Sequence, residues 1–300
     1  MKNLKFGLAL VALALGVGRS HADTINSVRL DSYATGEGAT VTYDTNNTYP
    51  GFNLGSNIKT EGTTAAQFNM TTYQGANGAN ANSTHLYTFC VSLNINEPSS
   101  PYNVVKQTIA QADFGSVTTP ASGATKVAYN LLQAGYVYVA NGGTYDLSAS
   151  NNGYTAGNGQ HYTNNQYAAA MQLAIWDFVG NTTGNVSGFT QSGSAWIDNQ
   201  FSVKGVDSTT IALANYFISD ANTNASNNDN AGLDLSANLS IYSSTDPNTG
   251  GQAVLQYGGS LPPPPVAGPE PSSLVLAGLG AIGLGLRRWK GRRAAPAAAV

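Results

Sequence analysis

The chain has a single cysteine, Cys90, among 300 residues. A lone thiol forms no intramolecular disulfide, so the fold rests on its core rather than on cross-links. In an oxidising compartment a free thiol is also a chemical liability, and its presence asks for an explanation. Charge is scarce as well: charged residues make up 10% of the sequence, well below the usual quarter. Between residues 23 and 260 the basic side chains are Arg29, Lys59, Lys106, Lys126 and Lys204, whereas all 16 acidic ones lie between Asp23 and Glu270. So acidic a body has no basic patch with which to neutralise phosphates, which argues against nucleic-acid binding. No Cys/His cluster has zinc-ligand spacing, and no Gly-rich phosphate loop precedes a helix. Asp220 to Asn224 begins like a calcium loop, yet Ala225 and Ala231 stand where Gly and Glu are needed. No cofactor or metal is indicated, and no internal repeat is visible. What the chain does have is 42% apolar residues, enough for a real core. Gly, Asn, Ser, Thr and Tyr fill the rest and favour strands joined by polar turns.

Long apolar runs are confined to the two ends. Lys2 and Lys5 precede an apolar stretch from Phe6 to Val17, and Ser20-His21-Ala22 supplies the small residues that a signal peptidase reads. The pattern is that of a secretory signal (residues 1–22) cleaved after Ala22, since the run is too short to span a bilayer. The far end mirrors it. A stiff Pro-rich linker at 261–268 leads to Pro269-Glu270-Pro271, then to an apolar helix at 274–286, then to a basic stop at 287–293 made of Arg287, Arg288, Lys290, Arg292 and Arg293. A basic cluster beside an apolar run stays on the cytoplasmic side, and Trp289 suits the interface. The apolar core is short for a permanent anchor, which fits a segment meant to be recognised and cut.

These parts, in this order, resemble the PEP-CTERM sorting signal (269–293). The resemblance implies a single-pass precursor in the inner membrane of a Gram-negative bacterium. It also implies processing by an exosortase near Pro269-Glu270-Pro271, and a cell-surface or extracellular-matrix destination tied to exopolysaccharide or biofilm. With signal peptidase at one end and exosortase at the other, residues 23–260 form the extracytoplasmic body.

Within that body, Ser27-Val28-Arg29-Leu30, Thr40-Val41-Thr42-Tyr43, Ala66 to Met70 and Leu86 to Leu93 read as strands. In the last of these, Tyr87, Phe89, Val91 and Leu93 share one face, and Leu86, Thr88, Cys90 and Ser92 the other. From Pro101 the period changes. Helices are expected over 124–134, stopped by Gly135; over 164–179, capped by Asn164 or Asn165; and over 207–222, capped by Asp207 or Ser208. Residues 233–257 return to strand. The expected fold class is α+β, with β-sandwich-like strands and an inserted helical subdomain.

The helix around Tyr167 to Trp176 is apolar on every side and should be buried. Gln172 is its one strongly polar side chain, and a buried amide is costly without partners. The plain reading is that Gln172 hydrogen-bonds a neighbouring backbone. A second reading joins it to the other oddity: the Cys90 thiol attacks the Gln172 amide, ammonia leaves, and an internal thioester forms. Tyr87, Phe89 and Trp176 would shield the bond, although Trp176 serves equally as core. A third reading makes Cys90 the nucleophile of a cysteine hydrolase with His85 or His161 as base. His85 points to the opposite strand face, and His161 sits in a Gly/Asn-rich loop without a third member.

Tyr87-Thr88-Phe89-Cys90-Val91 and Met171-Gln172-Leu173-Ala174-Ile175-Trp176 resemble the thioester domain of bacterial surface adhesins. The resemblance implies a Cys90–Gln172 thioester open to attack by an amine or hydroxyl of a surface or matrix polymer. That is capture once per molecule, not turnover, so no enzyme is expected. The alternative is a non-covalent structural or carbohydrate-binding matrix protein in which Cys90 and Gln172 are core residues.

Overall fold

Alternating apolar residues give a strand two usable faces, and this chain uses both. The computed structural model describes residues 25, 27–44, 58–91, 100–108, 124–180, 186–199, 201–224, 233–245 and 253–259. Its backbone is an antiparallel hairpin of long strands, β1 (Ser27–Asp44) and β2 (Ile58–Tyr73), followed by β3 (Ala81–Thr88) and β4 (Tyr102–Thr108). The helices α1 (Ala124–Ala140), α2 (Asn164–Gly180) and α3 (Ser208–Asn224) come next in the chain. Between α1 and α2 lie β5 (Tyr154–Thr155) and β6 (His161–Tyr162), and between α2 and α3 lie β7 (Thr190–Ser192), β8 (Ala195–Asp198) and β9 (Phe201–Lys204). A helical turn, α4 (Leu235–Asn238), leads into β10 (Leu239–Ser244), and β11 (Val254–Tyr257) follows.

The fold is α+β, but its main strands belong to one continuous sheet rather than to two stacked ones. Strand β1 pairs with β2, β2 with β3, β11 with β10, β10 with β4, and β4 back with β1. The step from β3 to β11 is made by one bridge, Cys90 to Val254. Among the described residues these strands therefore close on themselves, with the β3-side and β11 edges joined at a single bridge. Val28, Phe68, Met70, Cys90, Tyr102, Val104, Tyr242 and Val254 fill its interior. Alternate residues face outward, where Phe89, Val91, Ile241 and Leu255 join the large core under the helices. The β7–β9 strands extend from the distal half of β1, where Thr40–Thr42 pair with β9.

Local chemistry sets the helix limits. Expected to stop at Gly135, α1 instead runs on to Ala140. Gly135 is inside the helix because a Cβ there would come within 2.3 Å of Leu239 Cδ2, so the residue permits close approach to β10. The cap of α2 is neither Asn164 nor Asn165 but Thr163. Its hydroxyl accepts from Gln166 N (3.2 Å) and Gln166 Oε1 accepts from Thr163 N (3.1 Å), a capping box. Asn164 instead donates to Ser150 O (2.7 Å), and Asn165 accepts from Thr35. Asp207 caps α3 through Thr209 N (2.7 Å). Strand β4 was not anticipated, and Leu235–Asn238 is helical where strand was expected. No helix among the described residues is long and apolar enough to cross a membrane. The expected apolar helix at 274–286 lies outside the described residues, as does the signal at 1–22.

Candidate functional site

Past the end of β3 the chain stays extended and meets β11. Val91 N donates to Ala253 O (2.9 Å) and Leu255 N donates to Phe89 O (3.2 Å). These bonds flank Cys90, so its own N–H and C=O point the other way, toward the side of β2. But the β2–β3 ladder ends at Phe68 opposite Thr88, two residues before Cys90. The gap is filled from a helix. Cys90 N donates to Gln172 Oε1 (3.0 Å), and Gln172 Nε2 donates to Cys90 O (2.8 Å). The side-chain amide thus stands in for a strand, supplying one rung of a ladder. Both residues are fully buried.

This contact satisfies the buried amide and removes the energetic objection to a glutamine in an apolar helix. It also has chemical consequences. The Cys90 N–H polarises the Gln172 carbonyl, so the residue that carries the protein's single thiol also activates a side-chain amide. The Cys90 carbonyl orients Nε2, the group that would leave. Surrounding residues exclude water, which strengthens both effects.

Phe89 is fully buried, with its ring edge-on to Tyr138 at 6.2 Å. The Tyr138 hydroxyl donates to Tyr87 O (2.9 Å), and burial raises its pKa. Tyr87 itself is half-buried and its hydroxyl donates to Asp146 Oδ2 (3.3 Å). Burial first, then Asp146, raise the Tyr87 pKa. Trp176 is buried one turn beyond Gln172. Of the histidines considered as bases, His85 Nδ1 lies 3.3 Å from Asp31 Oδ2 on the surface, and His161 is exposed on β6.

Two residues of the site's surroundings were not foreseen. Gln67, fully buried on β2, donates to Gly143 O (2.8 Å) and Tyr145 O (2.7 Å) and accepts from Leu147 N (2.9 Å). It fastens the loop after α1 to the sheet. Tyr43 is fully buried and its hydroxyl donates to Glu61 Oε1 (2.8 Å). Burial chiefly raises its pKa, with Glu61 and then Cys90 adding to it. A buried polar residue in an otherwise apolar strand run was the available signal for Gln67; nothing in the sequence ties Tyr43 to Cys90. Ala22, Pro269, Glu270, Pro271, Arg287, Arg288, Lys290, Arg292 and Arg293 all lie outside the described residues.

A family model of the thioester domain matches residues 87–223, a span that holds both Cys90 and Gln172. A second, the PEP-CTERM protein-sorting motif, matches residues 269–290. No curated protein matches significantly. Similar solved structures include the N-terminal thioester domain of the fibronectin-binding protein SfbI from Streptococcus pyogenes. It is 14% identical, with a TM-score of 0.32, over 73% of this chain and 94% of that one. The N-terminal domain of the Streptococcus pyogenes pilus tip adhesin Cpa is 15% identical, with a TM-score of 0.35, over 74% and 94%. The N-terminal thioester domain of a Clostridium perfringens surface protein is 14% identical, with a TM-score of 0.33, over 73% and 99%. The chain thus matches a thioester-domain family model over residues 87–223 and, after it, a PEP-CTERM protein-sorting motif over residues 269–290.

Proposed function

We propose that this protein is exported, processed by an exosortase near Pro269-Glu270-Pro271, and displayed at the cell surface or in a biofilm matrix. There it captures an amine- or hydroxyl-bearing polymer covalently through a thioester between Cys90 Sγ and Gln172 Cδ. It acts once per molecule and is not an enzyme. The observation that carries the reading is the reciprocal contact of Cys90 with Gln172, at 3.0 and 2.8 Å, inside a dry core. Because the Cys90 backbone binds the Gln172 amide, the residue that carries the thiol and the residue that carries the amide are held together before any bond forms. The sorting motif at 269–290 supports the route to the surface.

The first test is the intact mass of the full chain purified without reductant. The expected mass is one ammonia below that of the polypeptide, with the deficit gone in Cys90→Ala and in Gln172→Ala. Methylamine should add to the wild type and to neither variant. An undiminished mass with a titratable Cys90 thiol would overturn covalent capture and leave a non-covalent matrix protein in which both residues are core.

A further inference from the structure

Trp176 Nε1 is buried and, among the described residues, has no hydrogen-bond partner. The side chain is 2% exposed, so water does not supply one freely. Leaving such a donor unpaired is costly and uncommon in a folded protein, and calls for a reason. Its position supplies one. Residues four apart on a helix stack on one face, so Trp176 stands on the stripe of α2 that carries Gln172. Phe89 and Val91, on either side of Cys90, lie in the same core as Trp176. In the resting state the Gln172 amide is occupied at both ends by Cys90, through Oε1 and Nε2.

We propose that Trp176 Nε1–H is a reserved oxyanion donor, acting beside the Cys90 N–H on the oxygen of Gln172 during reaction. The proposal rests on the thioester reading. In closure the Cys90 S–H bond breaks and the Sγ–Cδ bond forms while the carbonyl π pair moves onto Oε1. That oxygen then carries a full negative charge and binds a second donor far more strongly than the neutral carbonyl did. Collapse breaks the Cδ–Nε2 bond, and Nε2 departs as ammonia with the proton that left the thiol. In capture an amine nitrogen attacks Cδ and charges the same oxygen. Sγ then leaves and takes up the proton that the amine loses. Donors aimed at developing rather than resting charge accelerate such steps because they need no reorganisation when the charge appears. An N–H that is idle in the ground state answers that description.

The test uses the full chain with Trp176→Phe, and with benzothienylalanine at position 176, which keeps the shape of the indole but has sulfur in place of N–H. Thiol release by methylamine and the melting temperature are measured for each. The expected result is that opening slows about a hundredfold in both variants, while the benzothienyl protein melts no lower than the wild type. If the benzothienyl protein opens at the wild-type rate, Trp176 is packing only and the proposal fails. It fails likewise if loss of rate follows loss of melting temperature in both variants. A wild type that never loses ammonia sinks the thioester reading itself, a result distinct from either of these.

Discussion

Cys90 is held from both sides by groups of different origin, and this makes its neighbours unequal in importance. On one side β11 supplies backbone; on the other Gln172 supplies a side chain. Gln172→Ala strands a buried N–H and a buried C=O and leaves a cavity. A loss of about 2–5 kcal/mol is expected in denaturant unfolding, even if measured in a Cys90→Ala background where no thioester exists. Compared with the protein before thioester closure, Cys90→Ala removes only a thiol and should cost far less; compared with the closed protein it also removes a cross-link. Gly135→Ala is the complementary case. Its methyl would fall 2.3 Å from Leu239 Cδ2, and overpacking of this kind costs about 1–3 kcal/mol. Alanine also gains about 1 kcal/mol over glycine inside a helix, so a variant that melts above the wild type by that margin would contradict the close approach of α1 to β10. Cys90 and Gln172 were legible in sequence because each was an anomaly in its own surroundings. Tyr43 was not, since a tyrosine in a strand is unremarkable until the fold brings it to Glu61.

The helices were legible as elements because their period is local: α2 and α3 begin and end within two residues of where apolar spacing and caps put them. The ring was not, since it closes by contacts between β3 and β11 and between β1 and β4. Such pairings join segments far apart in the chain, and no local pattern announces them. Strand β4 escaped notice for a related reason: Val105 is exposed beside buried Val104, which blurs the alternation. Two element-level outcomes follow from the contacts themselves. Thr163→Ala removes the hydroxyl half of the α2 capping box and should cost about 1 kcal/mol in unfolding free energy. The hydrogen bond from Thr210 of α3 to Glu37 of β1 (3.1 Å) makes stability depend on pH. Burial raises the Glu37 carboxyl above its ordinary 4.5; the Thr210 hydroxyl opposes the rise, and Asp207 adds to it through its charge and opposes it through its backbone N–H. A raised folded-state pKa means that the native state holds this proton more tightly than the unfolded chain. Its stability contribution is therefore complete below pH 4.5 and lost as pH climbs through the raised value. Glu37→Gln should accordingly stabilise the protein at neutral pH. The advantage should shrink in acid, and an unchanging difference across a pH series would refute the assignment.

At the scale of the whole molecule, charge is sorted along the chain. Acidic residues populate the body, while Arg287, Arg288, Lys290, Arg292 and Arg293 gather beyond the apolar stretch at the end. Such a distribution suits a protein whose body crosses the membrane while its basic tail is retained, because cationic clusters resist translocation. The apolar segment beside that stop is short for a permanent anchor, and the proposed route to the surface therefore includes a processing step. The sorting motif matched at 269–290 spans Pro269-Glu270-Pro271, the apolar stretch and the start of the basic cluster. Replacing Pro269-Glu270-Pro271 with alanines, in a host with its own exosortase, should leave a precursor that keeps its basic tail and fractionates with the inner membrane. The wild type should lose the tail peptide, as read by C-terminal mass spectrometry, and move to the surface. Both proteins should melt alike, since the change lies outside the ring and helices that form the core. Should the variant reach the surface with the tail removed at the same position, processing does not read Pro269-Glu270-Pro271, and the route to the surface proposed for this chain must be abandoned.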